Sequence, residues 1–414
     1  RRLAARGAFD PRIQYEQAEK TVDGGEYYQY RRAEWSIPTW FGVEVRGGWE
    51  YLQGARTLET ETLGANNYVG LSIPLLKDLS MDKRRADLQK AAVNLDASRN
   101  ERDRLINEVL GEALVQFWDW VRYFELECTV DSLRQINIAR LDLIRSAVKA
   151  GDRPAADTTE TQAQINQWEQ AYLESRLNRQ KAQWKLSDHL WTENGNPYFL
   201  PENVEPDQAA RFRLAEQVPI TAVDEWIDPL RKTDLTWIGL SLELQQYQID
   251  RRLYRQELLP SVRFEYNQLG KENNLIKTLQ QPWWQDQFRY GLKMSIPLRL
   301  STERGQLRSI EGKIQQTRWK QDWLIWKTTN RIQMTHTELS TLIKQTKAQQ
   351  QLLKQYADLL GLEWLRFRQG ESSLFLVNAR ESRYQESRQK LLELYYKFRK
   401  ASIEIDQVSG RLIR

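Results

Sequence analysis

The sequence predicts a mainly α-helical protein with a smaller β-sheet portion, made of two copies of one unit: strand, strand, long helix, turn, returning helix. Proline, which interrupts helices, is absent between Pro74 and Pro154 and again after Pro297. Apolar residues in both of these stretches recur at helical spacing. Short segments in which apolar and polar residues alternate, as in strands, precede each long stretch.

The composition excludes several classes of protein. With 414 residues, 40% hydrophobic and 28% charged, the chain is neither disordered nor collagen-like. Two histidines and one cysteine, Cys128, are too few for a zinc site or a Cys-His nucleophile, so we expect no metal, no cofactor and no enzyme. The net charge of +5 is a mild excess spread along the chain, which argues against a nucleic-acid partner.

The first predicted repeat covers residues 1–223. We expect strands at about 9–74, a helical hairpin at about 75–194 and an irregular, proline-rich insert at about 195–229. The hairpin turns at Gly151-Asp152-Arg153-Pro154, which combines a helix-ending glycine with a proline. A single helix before that turn would be about 114 Å long, which indicates coiled-coil-like packing.

The second predicted repeat covers residues 224–414 and has the same order: a helix at about 230–259, strands at about 261–298 and a helical hairpin at about 301–410. Asp228-Pro229 has the residue types of a helix start, with Asp as the N-cap. The second hairpin turns at Gly370-Glu371.

Two pairs of landmarks support the repeat. Pro74 and Pro297 are 223 positions apart, and Gly151 and Gly370 are 219 apart, so the two spacings agree within four residues. The first copy has 26 additional residues before Pro74, which form either a long loop or an added hairpin at about 27–40. The helix at 230–259 has no counterpart at the N-terminus, so we expect the natural chain to begin earlier.

Aromatic residues gather in the predicted strands, and seven are candidates for a membrane interface: Trp35, Trp40, Trp49, Tyr51, Trp283, Trp284 and Tyr290. Charged residues alternate with apolar ones in the same segments: Arg12, Glu16, Arg46, Glu50, Arg263, Glu265, Arg289 and Lys293. This alternation is typical of an outer-membrane barrel with a polar interior. The alternative is a soluble sheet whose core these rings fill.

Two strands per repeat cannot bury themselves, so another chain must close the sheet. No apolar stretch is long enough for a membrane-spanning helix, and the chain could therefore enter a bilayer only as a closed barrel. Three tryptophans of the last long helix, Trp319, Trp323 and Trp326, have helical spacing, and we expect them in the helical core.

The sequence resembles the outer-membrane efflux proteins of the TolC type. The resemblance rests on Gly7-Ala8-Phe9-Asp10-Pro11, on the strand ends Gly70-Leu71-Ser72-Ile73-Pro74-Leu75 and Met294-Ser295-Ile296-Pro297-Leu298, and on the two Gly-acidic turns. It implies a homotrimer in which each subunit gives four strands to a transmembrane barrel and its helices to a periplasmic tunnel. It also implies an outer-membrane location in a Gram-negative bacterium, contact with lipid, and two partners, a periplasmic adaptor protein and an inner-membrane pump, in efflux or type I secretion.

In that family, polar residues at the helix turns line the periplasmic entrance. The matching residues here are Asp152 and Asp157, then Glu371 and Asn378, and threefold symmetry would turn each acidic residue into a ring of three charges. Solvated helix caps are the alternative role for these carboxylates. Gly151, Gly370, Leu374 and Phe375 are the corresponding candidates for the hairpin turns and the adaptor contact.

A protein of another class would fit part of the pattern. A soluble periplasmic coiled-coil adaptor or scaffold also combines a helical hairpin with β-structure, but it does not repeat the whole unit twice in one chain.

Overall fold

The computed structural model describes residues 2–54, 63–216, 220–271, 275–280 and 282–413. Parts of three predicted segments lie outside the described residues: 55–62 in the first strand region, 217–219 in the insert, and 272–274 with 281 in the loop between the strands of the second repeat. The chain divides into two compact units: the first is Arg1–Asn100 with Gly239–Asp322, and the second is Glu101–Ile238 with Trp323–Arg414. Each unit therefore takes residues from both predicted repeats.

The first unit contains one antiparallel sheet whose six strands follow each other in chain order: β1 (Arg12–Val22), β2 (Gly25–Pro38), β3 (Glu44–Gln53), β4 (Gly64–Pro74), β5 (Ser261–Lys271) and β6 (Phe288–Ser295). The additional residues of the first repeat thus form strands. The four strands per subunit that the family resemblance implies are two fewer than the six among the described residues.

The extra strands have a local cause in the chain. Asp23 and Gly24 join β1 to β2 and both have positive φ, 50° and 76°, as the Asp-Gly turn of a two-residue hairpin requires. The turn from β2 to β3 closes when the Thr39 N–H and hydroxyl donate to the Val43 carbonyl, at 2.9 and 2.7 Å. Both turns are short, so the chain reverses at once and adds two strands to the sheet.

The remaining elements are helical and agree with the predicted order: α1 (Arg2–Arg6) with a 3-10 turn (Gly7–Phe9), α2 (Lys83–Lys149), α3 (Ala156–Ser187), α4 (Gln208–Ala215), α5 (Val223–Ile227), α6 (Leu230–Thr233), α7 (Leu235–Glu257), α8 (Leu275–Gln280), α9 (Ser301–Arg368) and α10 (Leu374–Val408). The prediction of a mainly α-helical chain with a sheet portion is confirmed. None of the helices among the described residues combines the length and apolar character needed for a membrane crossing.

The start of α7 differs from the prediction. Asp228 and Pro229 lead only into the four-residue α6, and the long helix begins five residues later than expected. Asp234 is the actual cap: its carboxylate accepts from the N–H groups of Thr236 and Trp237 at 2.8 and 3.1 Å. Because Asp234 has an extended ψ of 107°, it separates the two helices.

The second unit is held together by apolar side chains that α9 and α10 bury at regular spacing. On α9 the buried positions alternate by four and three residues: Thr328, Ile332, Thr335, Leu339, Leu342 and Thr346. This is the seam expected of coiled-coil-like packing. Leu339 and Leu342 pack in one cluster with Leu394 and Phe398 of α10.

The prediction for the three tryptophans of α9 is wrong, since Trp319, Trp323 and Trp326 are all exposed in the chain. The buried seam consists of isoleucine, leucine and threonine, with Thr317 and Thr328 among its members. Trp319 follows Thr317 by two positions, about 200° around the helix. The smaller side chains therefore occupy the packing face, and the indoles point away from it.

Candidate functional site

The sheet of the first unit has one charged face. The backbone pairing runs from Arg12 through Ser36, Arg46, Gly70 and Asn267 to Arg289. Directly paired residues point to the same side of a sheet, and every second residue of a strand does so too. The eight charged residues singled out in the sequence therefore share this side, which we call the charged face: Arg12, Glu16, Arg46, Glu50, Arg263, Glu265, Arg289 and Lys293.

Ion pairs connect β3, β5 and β6 across the charged face. Glu265 lies 3.0 Å from Lys293 Nζ and 3.5 Å from Arg46 Nη1. Glu44 lies 3.4 Å from Arg46 Nη2 and 3.9 Å from Arg263 Nη1. Charges of both signs are interspersed, so this face offers a polar surface without one dominant sign.

A second polar cluster on the charged face is centred on Tyr68. The Arg32 guanidinium donates to the Tyr68 hydroxyl at 2.8 Å, and the hydroxyl donates to Glu34, which also pairs with Arg32. Both clusters line one polar recess of the sheet. Within the two clusters, each of these charged side chains has a partner of opposite sign.

The opposite side of the sheet, the apolar face, carries mainly aliphatic and aromatic residues: Ile13, Tyr15, Trp35, Ile37, Val45, Trp49, Tyr51, Val69, Leu71, Phe264, Tyr290, Leu292 and Met294. Four of the predicted interface aromatics are in this set. The polar members of this face include Gln17, Glu19 and Arg31. Trp35 lies directly opposite Gly47, and a Cβ at that glycine would overlap the indole. Glycine at 47 thus allows the large ring to lie flat against the sheet.

The other three predicted interface aromatics lie at the two ends of the strands. Trp40, in the β2–β3 turn, stacks on Phe9 with ring centres 4.5 Å apart; this is the end from which α2 continues. Trp283 and Trp284 precede β6 at the opposite end and contact Tyr266, with ring centres 5.3 and 4.3 Å apart. An apolar band with aromatic residues at both ends is the pattern of a strand that crosses an outer membrane.

The two hairpin turns lie in the second unit and have the same backbone geometry. Gly151 and Gly370 have φ of 82° and 78°, the left-handed conformation that favours glycine. The N–H of the next residue donates to a carbonyl five positions back in each turn, Asp152 to Ala147 and Glu371 to Arg366, both at 2.9 Å. These are two copies of one helix-ending motif.

Arg153 connects the first turn to α9. Its guanidinium donates to the Phe367 carbonyl at 3.0 Å and lies 3.8 Å from the centre of the Phe367 ring. Asp157 is half-buried and pairs with Arg153 at 3.4 Å, whereas Asp152 and Glu371 are exposed. Of the predicted entrance carboxylates, only the latter two present their charges to solvent.

Asn378 is buried and belongs to a polar cluster that sequence reasoning missed. Arg140 and Glu381 form an ion pair with side-chain exposures of 3% and 1%. Asn137 donates to Glu381 at 3.1 Å, and Asn378 accepts from Arg140 at 3.1 Å and donates to Glu160 at 3.2 Å. This cluster ties α2 and α3 to α10.

A signal for the polar cluster is present in the sequence. Leu133, Asn137, Arg140 and Ile144 are spaced by four, three and four residues, so the polar pair occupies two positions of a buried helical seam. A charge in such a seam needs a partner. The partner, Glu381, lies 241 residues away in the chain, and helical spacing alone does not identify it.

The apolar residues after the second turn divide between inside and outside. Leu374 and Val377 are buried in a cluster with Ile144 and Phe367. Phe375 and its neighbour Leu376 are exposed. Of the two predicted adaptor-contact side chains, only Phe375 is therefore available at the surface of the chain.

Residues 239–411 match the family model described as outer membrane efflux protein. The predicted resemblance to the outer-membrane efflux family is confirmed. No curated protein matches the chain in sequence.

The fold of the chain is similar to those of solved outer-membrane proteins. The chain is similar to the CmeC outer membrane channel of Campylobacter jejuni, with 12% identity, a TM-score of 0.64, and coverage of 99% of this chain and 79% of that one. It is similar to the outer membrane protein VceC of Vibrio cholerae, with 14% identity, a TM-score of 0.65, and coverage of 99% and 89%. It is also similar to the open state of the MtrE outer membrane channel of Neisseria gonorrhoeae, with 13% identity, a TM-score of 0.66, and coverage of 100% of this chain and 83% of that one.

Proposed function

We propose that this chain forms a homotrimeric outer-membrane channel, a passive exit duct for efflux or type I secretion in a Gram-negative bacterium. The observation that supports it most is the two-sided sheet, charged on one face and apolar on the other, with aromatic residues at both ends of its strands. In a ring of copies the charged face would line a water-filled lumen and the apolar face would contact outer-membrane lipid. The helices would then extend into the periplasm.

The proposed activity is conduction rather than catalysis. Ion pairs such as Glu265 with Lys293 hold the charges of the lumen against its wall. The solute would pass without forming a covalent intermediate, and the free energy for transport would come from an inner-membrane pump. A periplasmic adaptor would join the pump to the helix turns, and exposed Phe375 is a candidate contact for its tip.

The exposed carboxylates Asp152 and Glu371 are our candidates for the charged ring at the periplasmic entrance. Asp157, which the sequence also suggested for the entrance, is paired with Arg153, so its charge is partly compensated. Rings of carboxylates favour cations in a pore. We therefore expect a cation-selective entrance whose preference depends on Asp152 and Glu371 more than on Asp157.

Purification and planar-bilayer recording test this function. The chain should require detergent, sediment as a trimer and give discrete single-channel currents. Asp152→Asn with Glu371→Gln should weaken the cation preference, and Asp157→Asn is the matched control with a smaller effect. A folded, water-soluble monomer that gives no current would instead favour the adaptor or scaffold class.

A further inference from the structure

The six-stranded sheet has two outer strands, β1 and β6. Among the described residues β1 pairs with β2 and β6 pairs with β5, and neither has a partner on its other side. Unpaired backbone groups at a sheet edge attract another strand, and within a membrane every such group must be satisfied. The two edges therefore need partners that the described part of a single chain does not supply.

The directions of the outer strands allow them to join two copies. Each neighbouring pair in the sheet is antiparallel, so β1 and β6, five places apart, run in opposite directions. Strand β6 of one copy would thus be antiparallel to β1 of the next copy. The same alternation would continue around a closed ring, as in barrels with an even number of strands.

We propose that β6 of each copy pairs with β1 of the next copy, so that three copies close a wall of eighteen strands rather than the twelve that the family resemblance implies. This inference rests on the trimer of the proposed function. The partner of each edge is a second copy of this chain, and the extra strands β2 and β3 make the barrel wider.

The stagger of the sheet fits a closed barrel. We call the end of each strand that is nearer the start of α2 its helix-side end; in β1 this end is Arg12. Directly paired residues lead from Arg12 across the sheet to Arg289 in β6. The helix-side end of β6 is Ser295, six residues further on. Aligning the helix-side ends sets Ser295 opposite Arg12 of the next copy. The resulting stagger of one residue per strand, at about 3.3 Å per residue and 4.8 Å per strand, gives a tilt of about 35°, within the range of membrane barrels.

The apolar side chains of the two edges match in this register. Ile13 of one copy would lie opposite Met294 of the next, and Tyr15 opposite Leu292. In the single chain Ile13 is 83% exposed and Met294 63% exposed. Paired in this way, the four side chains would continue the apolar face across the junction without a break.

On the other side of the junction, an acidic residue of β1 would meet basic residues of β6. Glu16 would lie opposite Gly291, with Arg289 and Lys293 as its diagonal neighbours, which long side chains can reach. Gly291 has no atom near the position of a Cβ, so the glutamate has room to extend toward either base. Glu16 of β1 would thus lie between two basic residues of β6.

Disulfide crosslinking tests the junction in the detergent-solubilised or membrane-embedded full chain with Cys128→Ser. Gln14→Cys combined with Lys293→Cys puts two thiols directly opposite each other in the proposed register, and Ala18→Cys with Arg289→Cys does so at a second level. Both pairs should yield a covalent trimer on oxidation. Gln14→Cys with Leu292→Cys is the matched control, because adjacent residues point to opposite faces of a strand, and it should remain uncrosslinked.

A different pattern would overturn the inference. If β2 and β1 stay outside the ring, β3 becomes the edge, and Arg46→Cys with Lys293→Cys would crosslink instead. Two results would contradict the eighteen-strand wall: a crosslink between Arg46→Cys and Lys293→Cys, or no covalent trimer from either expected pair. If the trimer still conducts, the proposed channel function stands in both cases. A monomer without current would contradict both.

Electron microscopy of the trimer gives a second measurement that does not depend on disulfide geometry. Barrel diameter grows roughly linearly with strand number, so eighteen strands predict a wall about 1.5 times as wide as twelve. A barrel of twelve-strand diameter would contradict the inference.

Discussion

The two hairpin turns have nearly the same backbone and very different surroundings. Gly151 and Gly370 end their helices with the same left-handed motif and the same hydrogen bond. With the spacing of 219 residues between them, Leu374 and Val377 of the second turn correspond to Ala155 and Thr158 of the first. The second copy buries these side chains, whereas in the first copy Ala155 is exposed and Thr158 is only half-buried.

Each turn is consequently fixed by a different interaction. The second turn is held by the burial of Leu374 and Val377. The helix that follows it, α10, has a side-chain cap: the Ser373 hydroxyl accepts from the Leu376 N–H at 3.4 Å. The helix that follows the first turn, α3, has no side-chain cap. Arg153 holds this turn through its hydrogen bond to the Phe367 carbonyl and its ion pair with the Asp157 carboxylate. A polar contact exchanges with water more easily than a packed leucine, so we expect the first turn to move and the second to anchor it.

The largest expected effect concerns the buried cluster that joins both hairpins. Arg140→Leu would leave Glu381 buried without its partner, which costs about 3–5 kcal/mol. Thermal unfolding in detergent should show a large drop in the transition temperature. In the double variant Arg140→Leu with Glu381→Leu the loss should be largely recovered. A single variant as stable as the unmodified protein would show that the pair does not join the hairpins.

The next effect separates the buried and exposed residues of the second turn. Leu374→Ala removes a fully buried side chain and should cost about 2–5 kcal/mol. Phe375→Ala, one residue later and exposed, should leave the transition temperature nearly unchanged but weaken adaptor binding in a pull-down assay. Equal destabilisation by the two variants would contradict the division of this segment into inside and outside.

The first turn should respond in its motion more than in its stability. Arg153→Ala removes a charged hydrogen bond to Phe367, worth about 1–3 kcal/mol, and should raise the open probability in bilayer recordings. Arg153→Lys keeps the charge but loses the planar contact with the Phe367 ring. Its open probability should lie between those of the unmodified protein and Arg153→Ala. An increase in open probability from Leu374→Ala but not from Arg153→Ala would assign the mobile element to the second turn.

The smallest expected effect is at the start of α7. Burial raises the pKa of the Asp234 carboxyl above its usual range, against the lowering effect of the Trp237 and Thr236 N–H groups. A raised folded-state pKa means that protonation favours folding, and this contribution is lost as pH rises through that pKa. Asp234→Asn keeps the cap without the charge, so its advantage should be largest near neutral pH and vanish in acid.

Asp234→Ala is the control, since it removes the cap and should be about 1 kcal/mol less stable than Asp234→Asn. Transition temperatures measured from acid to neutral pH provide the comparison. If the stability of Asp234→Asn relative to the unmodified protein falls as pH rises, the predicted direction of the pH dependence is wrong.

The long elements and the repeat could be predicted from the sequence because they depend on local signals. Proline-free stretches with helical spacing indicated the long helices, and the alternation in β5 and β6 indicated both strands and faces. The start of α7 was missed because Asp228-Pro229 carries a stronger start pattern than Asp234, although only Asp234 caps the long helix. The segment at about 27–40, which contains β2, was left open as a long loop or an added hairpin, even though Asp23-Gly24 is a hairpin signal.

The residues of the candidate site were harder to place because partners distant in sequence decide their environments. The charge of Asp157 is partly compensated by Arg153. Asn378 is buried and forms hydrogen bonds with Arg140 and Glu160. The exposure of Trp323 follows from competition within α9, where smaller side chains occupy the packing face. Helical spacing identifies a stripe, but it does not decide which of two stripes is buried.

The most direct test of the channel is the accessibility of two adjacent residues of β3. Glu50 is on the charged face and Trp49 on the apolar face. In a Cys128→Ser background, Glu50→Cys and Trp49→Cys would each be treated with a charged, water-soluble thiol reagent during single-channel recording. We predict that the reagent changes the current through the Glu50→Cys channel and leaves the Trp49→Cys channel unaffected. A change of current at Trp49→Cys and none at Glu50→Cys would contradict the assignment of the charged face to the lumen.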